Sequence, residues 1–229
     1  MGRLRRPDGL WQVGVGPGAL LVDGAAPAIL AESLVRGVEP IREVSPCPVL
    51  GGGPVAGRLR RALGDLDPVE SMEGLTVAVH QYVVPLEVGL RIAREPRLVL
   101  PVVVQPRRVV VGPVVGAVTS LESRPDQPPP EVSTPCLHCL DLHRQDRDPS
   151  WAEVATSLGH PVHDFDPLPV STPMATAAEG LTLMLVAALE SGRRCSPGLA
   201  YEFGADAPHV VARRWTVHPA CPWHGATRG

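Results

Sequence analysis

Apolar positions along the chain follow two periods, and the period changes mark the elements. In "VLGGGPVAGRLRRALGDL", Val55, Leu59 and Leu63 recur four apart, which predicts a helix entered from a strand through a glycine turn. "LTVAVH" reads as a buried strand, and "PLEVGLRIAREP" as a helix with Leu86, Leu90 and Ala93 on one face, stopped by Pro96. "RLVLPVVVQP" and "RRVVVGPVVG" predict two further strands joined by a tight turn at Gln105–Arg107. "MATAAEGLTLMLVAALESG" is the strongest helix signal, rich in Ala and Leu and ended by Gly192. "GLAYEFGADAPHVVARRWTV" predicts a hairpin around "GADAP". Ahead of all these, "LWQVGV" and "ALLVDG" read as short strands, followed by a helix over "PAILAESLVRG" ended by Gly37. "SRPDQPPPEVSTP" is a polar linker whose prolines cannot continue a sheet or helix, and the stretch from Cys139 to Pro173 shows little periodicity. Strands alternating with helices predict an α/β core with parallel strands and antiparallel strands added late.

Composition narrows the chemistry. The chain has 229 residues and a hydrophobic content of 44%, enough for one large core with a small appendage. Its net charge of −3 and 3% aromatic content supply neither the basic footprint nor the stacking platforms of a nucleic-acid binder. All 21 basic residues are arginine, which excludes a Schiff-base, phosphate-loop or general-base lysine within this chain. The basic start "MGRLRR" is followed by Asp8 and glycines rather than an apolar signal core. The longest apolar run, Leu181–Leu189, has 9 residues against the roughly 20 of a membrane span. The expected location is the cytoplasm, with no membrane partner.

In that reducing compartment "TPCLHCLDLHRQDRDPSW" becomes informative, because a CxxC there is redox-active or metal-binding more often than disulfide-bonded. The tail segment "CPWH" repeats the same two-residue gap. Cys136, Cys139, Cys221 and His224 would complete a closed, tetrahedral Cys3His zinc site with a structural role. His143 is an alternative fourth ligand, and Cys47 and Cys195 read as ordinary thiols. A redox pair usually caps a helix after a strand, whereas a proline-rich linker precedes this one. Spacing by itself leaves these readings open.

The glycine turn is a second candidate. Gly51, Gly53 and Ala56 fit G-x-G-x-x-A, in which small residues let a nucleotide phosphate approach a helix N-terminus. The acidic ribose partner expected about 20 residues later has only Glu70 and Glu73 to offer, in a segment that is not strand-like. Pro54 removes one of the N–H donors. A packing turn without ligand explains the pattern equally well. The polar group His160, His163, Asp164 and Asp166 is irregularly spaced and reads as a solvated loop, and no nucleophile–base arrangement stands out.

Taken in order, the glycine turn, "RRVVVGPVV", "PCLHCLDLHRQDRDPSW", the Ala-rich helix and "WTVHPACPWHG" resemble the ThiF-like cyclodehydratase partner proteins of thiazole/oxazole-modified, bacteriocin-type peptide biosynthesis. The resemblance spans residues 9–36 and 48–224. It implies a reduced Rossmann-like core with a zinc-stapled C-terminal segment over residues 46–229, preceded at 1–45 by a shortened leader-recognition-like segment. It implies zinc ligands at Cys136, Cys139 and Cys221, with His224 where the family has a last cysteine. Adenylating relatives use basic side chains and a magnesium-binding aspartate around ATP. This chain has no lysine, and its segment between Leu63 and Leu75 is too short for the second strand and helix of that site, so no catalytic residue and no adenylation are expected of it alone. The implied role is a non-catalytic scaffold presenting a precursor peptide to a YcaO-type cyclodehydratase. An ATP-dependent adenylyltransferase with Arg58 or Arg61 at the phosphates, and a zinc-stabilised dimerisation protein, are the competing readings; a homodimer is compatible with each.

Overall fold

The computed structural model describes residues 3–5, 11–13, 20–22, 44–64, 66, 74–94, 98–116, 134–159, 167–191, 196–206 and 208–225. The helix expected over 27–37, Glu70, Glu73, Cys195 and the group at His160–Asp166 lie outside them. The chain divides into two compact units, residues 1–43 and 44–229. In the first, β1 (Arg3–Arg5), β2 (Trp11–Val13) and β3 (Leu20–Val22) form an antiparallel sheet in that order. β2 and β3 fall on the two expected strands; β1, only three residues long, has no sequence signal.

The second unit is a mixed α/β structure. Its sheet runs β10–β9–β7–β6–β5–β4, with β8 (Val115–Gly116) also paired to β6. β4 (Val49–Leu50), β5 (Leu75–Gln81) and β6 (Leu98–Gln105) are mutually parallel, joined through α1 (Gly53–Leu63) and α2 (Leu86–Arg94). β7 (Arg108–Val111), β9 (Leu199–Gly204) and β10 (Val210–Arg214) continue it antiparallel. The β6–β7 and β9–β10 hairpins turn where the sequence predicts. Pro101 sits inside β6 without an N–H to donate, and the antiparallel partner is interrupted there: β7 ends opposite Val102 and β8 resumes opposite Val99.

Each face of the sheet carries its own core. On the first, Val77, Val79, Leu100, Val102, Val104, Val109, Val111 and Phe203 pack against Val55, Ala56, Leu59 and Leu63 of α1 and the buried stripe Ala175, Ala178 and Val186 of α5 (Thr172–Glu190). α5 spans 19 residues with a mean hydropathy of 1.4, so as a helix it reaches membrane-spanning length and apolarity, beyond the 9-residue run visible in the sequence. On the second face, Ala78, Val99 and Val115 pack against Ile92 of α2 and against Leu137 and Leu140 of α3 (Leu137–Gln145). α3 and the helix after it, α4 (Trp151–Gly159), occupy a stretch whose sequence showed little periodicity. The reason is brevity: α3 buries only Leu137, Cys139 and Leu140, and α4 buries no side chain fully.

Gly51 shows why the turn after β4 is glycine. Its φ is +94°, and a Cβ there would stand 1.9 Å from the Val79 carbonyl oxygen of β5. Gly180, by contrast, lies inside α5 with nothing within 4 Å of an added Cβ. Gly51→Ala is therefore expected to destabilise the fold by about 2 kcal/mol or more, and Gly180→Ala to stabilise it by roughly 0.5–1 kcal/mol; opposite shifts of the urea midpoint check the pair.

Candidate metal centre

Leu137 and Leu140, held in the second core, fix the start of α3, and this places its cysteines. Cys136 is the extended residue before the helix and Cys139 is its third residue. The tail repeats the arrangement: Cys221 precedes the short helix α6 (Pro222–Gly225), and His224 is its third residue. Each knuckle thus presents two ligands from one turn of helix. The tail knuckle is closed by hydrogen bonds from the Cys221 N–H to the His218 carbonyl (3.0 Å) and from the His224 N–H to the Cys221 carbonyl (3.3 Å).

The ligand atoms of Cys136, Cys139, Cys221 and His224 all lie within 4.8 Å of one another. Cys136 Sγ is 3.6 Å from Cys139 Sγ and 3.7 Å from Cys221 Sγ. These separations are far beyond a disulfide's ~2.05 Å. They match the edge of a tetrahedron of sulfurs at ~2.3 Å from a common centre, which is about 3.8 Å. His224 Nε2 is buried without a hydrogen-bond partner, a costly state for a polar atom that a metal bond relieves. The residues therefore fit a four-coordinate ion, and the cluster could hold one.

The electrostatics agree. Cys136 stands where a helix N-terminus can depress a thiol pKa, on a helix that the proline-rich sequence before it does not announce. Burial outweighs that position: desolvation, with crowding by the neighbouring thiols, pushes Cys136 up to about 12 and raises Cys139 as well. Burial also lowers His224. Without an ion Cys136 and Cys139 stay protonated, the opposite of an activated redox nucleophile; an ion would displace those protons.

A second group of side chains, missed by the sequence reading, ties the tail to α3. Asp141 accepts hydrogen bonds from Arg144 Nη1 (3.1 Å) and Trp151 Nε1 (3.2 Å). The Arg144 guanidinium lies 5.1 Å from the Trp151 ring and 5.7 Å from that of Trp215, and Arg147 is 5.7 Å from Trp215. His143 contacts the Thr216 carbonyl at 3.0 Å, so it is not the fourth member of the cysteine cluster. Trp223 stacks on His138 at 4.8 Å. The "DLHRQDRDPSW" run is thus a clasp around the knuckles, legible only once α3, α4 and the tail are adjacent.

At the glycine turn the expected strand–turn–helix is present, with Gly51 and Gly53 at φ +94° and +88° and Ala56 fully buried. The close approach of β5 accounts for Gly51, and core packing for Ala56. Arg60 donates to the Gly51 carbonyl, while Arg58 is bound to Glu179 of α5 (2.5 Å). Dinucleotides bind doubly wound sheets where the strand order reverses. Here, among the described residues, β4, β5 and β6 follow one another in a single direction and β4 is the edge, so the crevice lacks one wall. Cys47 is a buried thiol donating to the Leu75 carbonyl (3.0 Å).

No family model matches the chain, and no curated protein matches it. Solved structures do. The structure of the heterocyclase TruD is similar with a TM-score of 0.50 at 14% identity, covering 86% of this chain and 31% of that one. A heterocyclase in complex with substrate and cofactor gives 0.48 at 12% identity, over 90% and 29%. E. coli MccB with succinimide gives 0.40 at 14% identity, over 65% and 39%. The chain spans less than half the length of each, and at these identities the likeness is one of fold.

Two opposite pH responses follow. The metal-free protein should keep its stability below about pH 9 and lose it as the pH rises toward about 12, because the folded state binds the Cys136 proton more tightly than the unfolded chain does. The metal-loaded protein should instead lose its ion on acidification, when protons compete for the thiolates. Thermal midpoints across pH, with and without chelator, check both.

Proposed function

We propose that this protein is a zinc-stapled, non-catalytic ThiF-like scaffold that presents a precursor peptide to a YcaO-type cyclodehydratase in the biosynthesis of azole-modified peptides. The observation that carries the reading is the closed Cys3His cluster joining α3 to the tail, in a chain whose β4, which leads into the glycine turn, is the sheet edge among the described residues. A mixed thiolate–imidazole set of four favours zinc, and four protein ligands leave no position for a reacting water, so the ion's role is to hold residues 134–140 against 218–224. The sequence resemblance to ThiF-like partner proteins, and the fold shared with the heterocyclase TruD, support the pathway. In this reading the chain carries no adenylating centre, and ring closure on Cys, Ser or Thr belongs to the partner enzyme. Extended peptide would add along an open sheet edge through main-chain hydrogen bonds.

The expected outcomes are concrete. Purified protein contains one zinc per chain, and Cys139→Ala or Cys221→Ala abolishes it, with a fall in stability of several kcal/mol because the staple's binding energy is folding energy. Pull-down captures a YcaO-type enzyme encoded beside this gene, and adding the protein raises that enzyme's heterocyclisation rate; no capture and no rate effect would remove the proposal. ATP–pyrophosphate exchange with peptide carboxylates stays silent, whereas exchange above background would favour the adenylyltransferase reading.

A further inference from the structure

His143, Asp146 and His218 form a second group whose ligand atoms lie within 4.8 Å of one another, beside the cysteine cluster. Two histidines and a carboxylate, partly open to solvent, are a familiar metal-binding set. The hydrogen bonds at His218 argue for a different role. The Ala220 N–H donates to His218 Nδ1 (3.1 Å), so that nitrogen presents its lone pair and the ring proton sits on Nε2. Nε2 stands 2.9 Å from Asp146 Oδ2 and donates to it. Both ring nitrogens are committed, and neither offers a lone pair to an ion. His143 turns Nε2 to the Thr216 carbonyl and its ring edge to His218, with centroids 4.7 Å apart.

The backbone of the same residue serves the knuckles. The His218 carbonyl receives the Cys221 N–H, and its own N–H points at the Cys139 sulfur. His218 is also one of the few buried polar side chains, 7% exposed. Its imidazole is thus fixed at one nitrogen by Asp146, the residue that caps the end of α3, and at the other by its own loop, while its peptide groups contact one ligand from each knuckle.

We infer that Asp146 and His218 are positioning residues for the metal centre: the carboxylate locks the imidazole's tautomer and orientation, and the locked loop sets Cys221 and a hydrogen-bond donor at Cys139 where a tetrahedral ion needs them. Groups behind the ligands that fix ligand orientation commonly govern metal affinity by 10–100-fold. With 64% of its side chain exposed, Asp146 belongs at the lower end. This rests on the zinc reading of the cluster.

The test is competition for zinc between the full-length protein and a chromophoric chelator. Asp146→Ala should weaken zinc binding about tenfold, chiefly through faster dissociation, and leave the metal-free thermal midpoint at the wild-type value. Asp146→Asn, which keeps an acceptor for Nε2–H, should recover most of the affinity. Asp206→Ala, an exposed acid on the far hairpin, should change nothing. Unchanged affinity in Asp146→Ala would overturn the positioning role while leaving the zinc site intact. Two zinc ions per wild-type chain, falling to one in Asp146→Ala, would overturn it in favour of a second metal site. A wild-type protein that takes up no zinc would sink the zinc reading first and this inference with it.

Discussion

Three thiols gathered within 4.8 Å, two of them in contact with Cys136, and a histidine whose ring nitrogen has no partner are the constraint that joins the start of α3 to the tail. Such a group is unfavourable as an end in itself. Desolvation holds Cys136 and Cys139 in their neutral form, and the imidazole has surrendered water without receiving a hydrogen bond. A divalent ion reverses each term at once, supplying positive charge to the sulfurs and a bond to Nε2. The tail after Trp215 has few apolar residues, so a coordinate staple is one way to hold it in place.

The staple does not float free of the core. Leu137 sits between Cys136 and Cys139 and Leu140 directly after them, and both are buried against β5, β6 and β8. The helix turn that aims Cys136 and Cys139 is therefore set by the same contacts that cover the second face of the sheet. On the tail side the apolar contact is slighter: the partly buried Trp215 packs against the same core. The tail's register is held by polar and aromatic contacts: Trp215 beneath two guanidinium groups, Thr216 at His143, His218 at Asp146 and Trp223 on His138. A rigid knuckle faces one secured by many individually weak contacts.

The sheet gives the nucleotide-like motif a packing role of its own. A glycine is required after β4 because the neighbouring strand approaches too closely for any side chain, and a small residue is required at Ala56 because α1 lies directly on the sheet. These are packing demands of any strand–turn–helix of this kind. Phosphate binding needs more: free N–H donors at the helix start, one of which Pro54 removes, and a crevice bounded on both sides. With β4 at the edge among the described residues, the second boundary is missing.

The local chemistry of the chain determined a good deal. Apolar runs and helical spacing located β5, β6, β7, α1, α2, α5 and the last hairpin. β6 is apolar along its length because it is buried on both faces, and α2 turns Ile92 into the core where the spacing pointed to Leu86, which is exposed. The paired two-residue gaps located the four candidate ligands, because a turn of helix brings residues three apart to the same side. What the linear order could not determine was anything that depends on which segments become neighbours. α3 and α4 are too short and too shallowly buried to imprint a period. The choice of His224 over His143 turns on where the tail lies across α3. The Asp141–Arg144–Trp151–Trp215 clasp and the Asp146–His218 pair join positions up to 74 residues apart in the chain. Those contacts exist only after the two faces of the sheet have been covered, which is why packing, and not spacing, decided them.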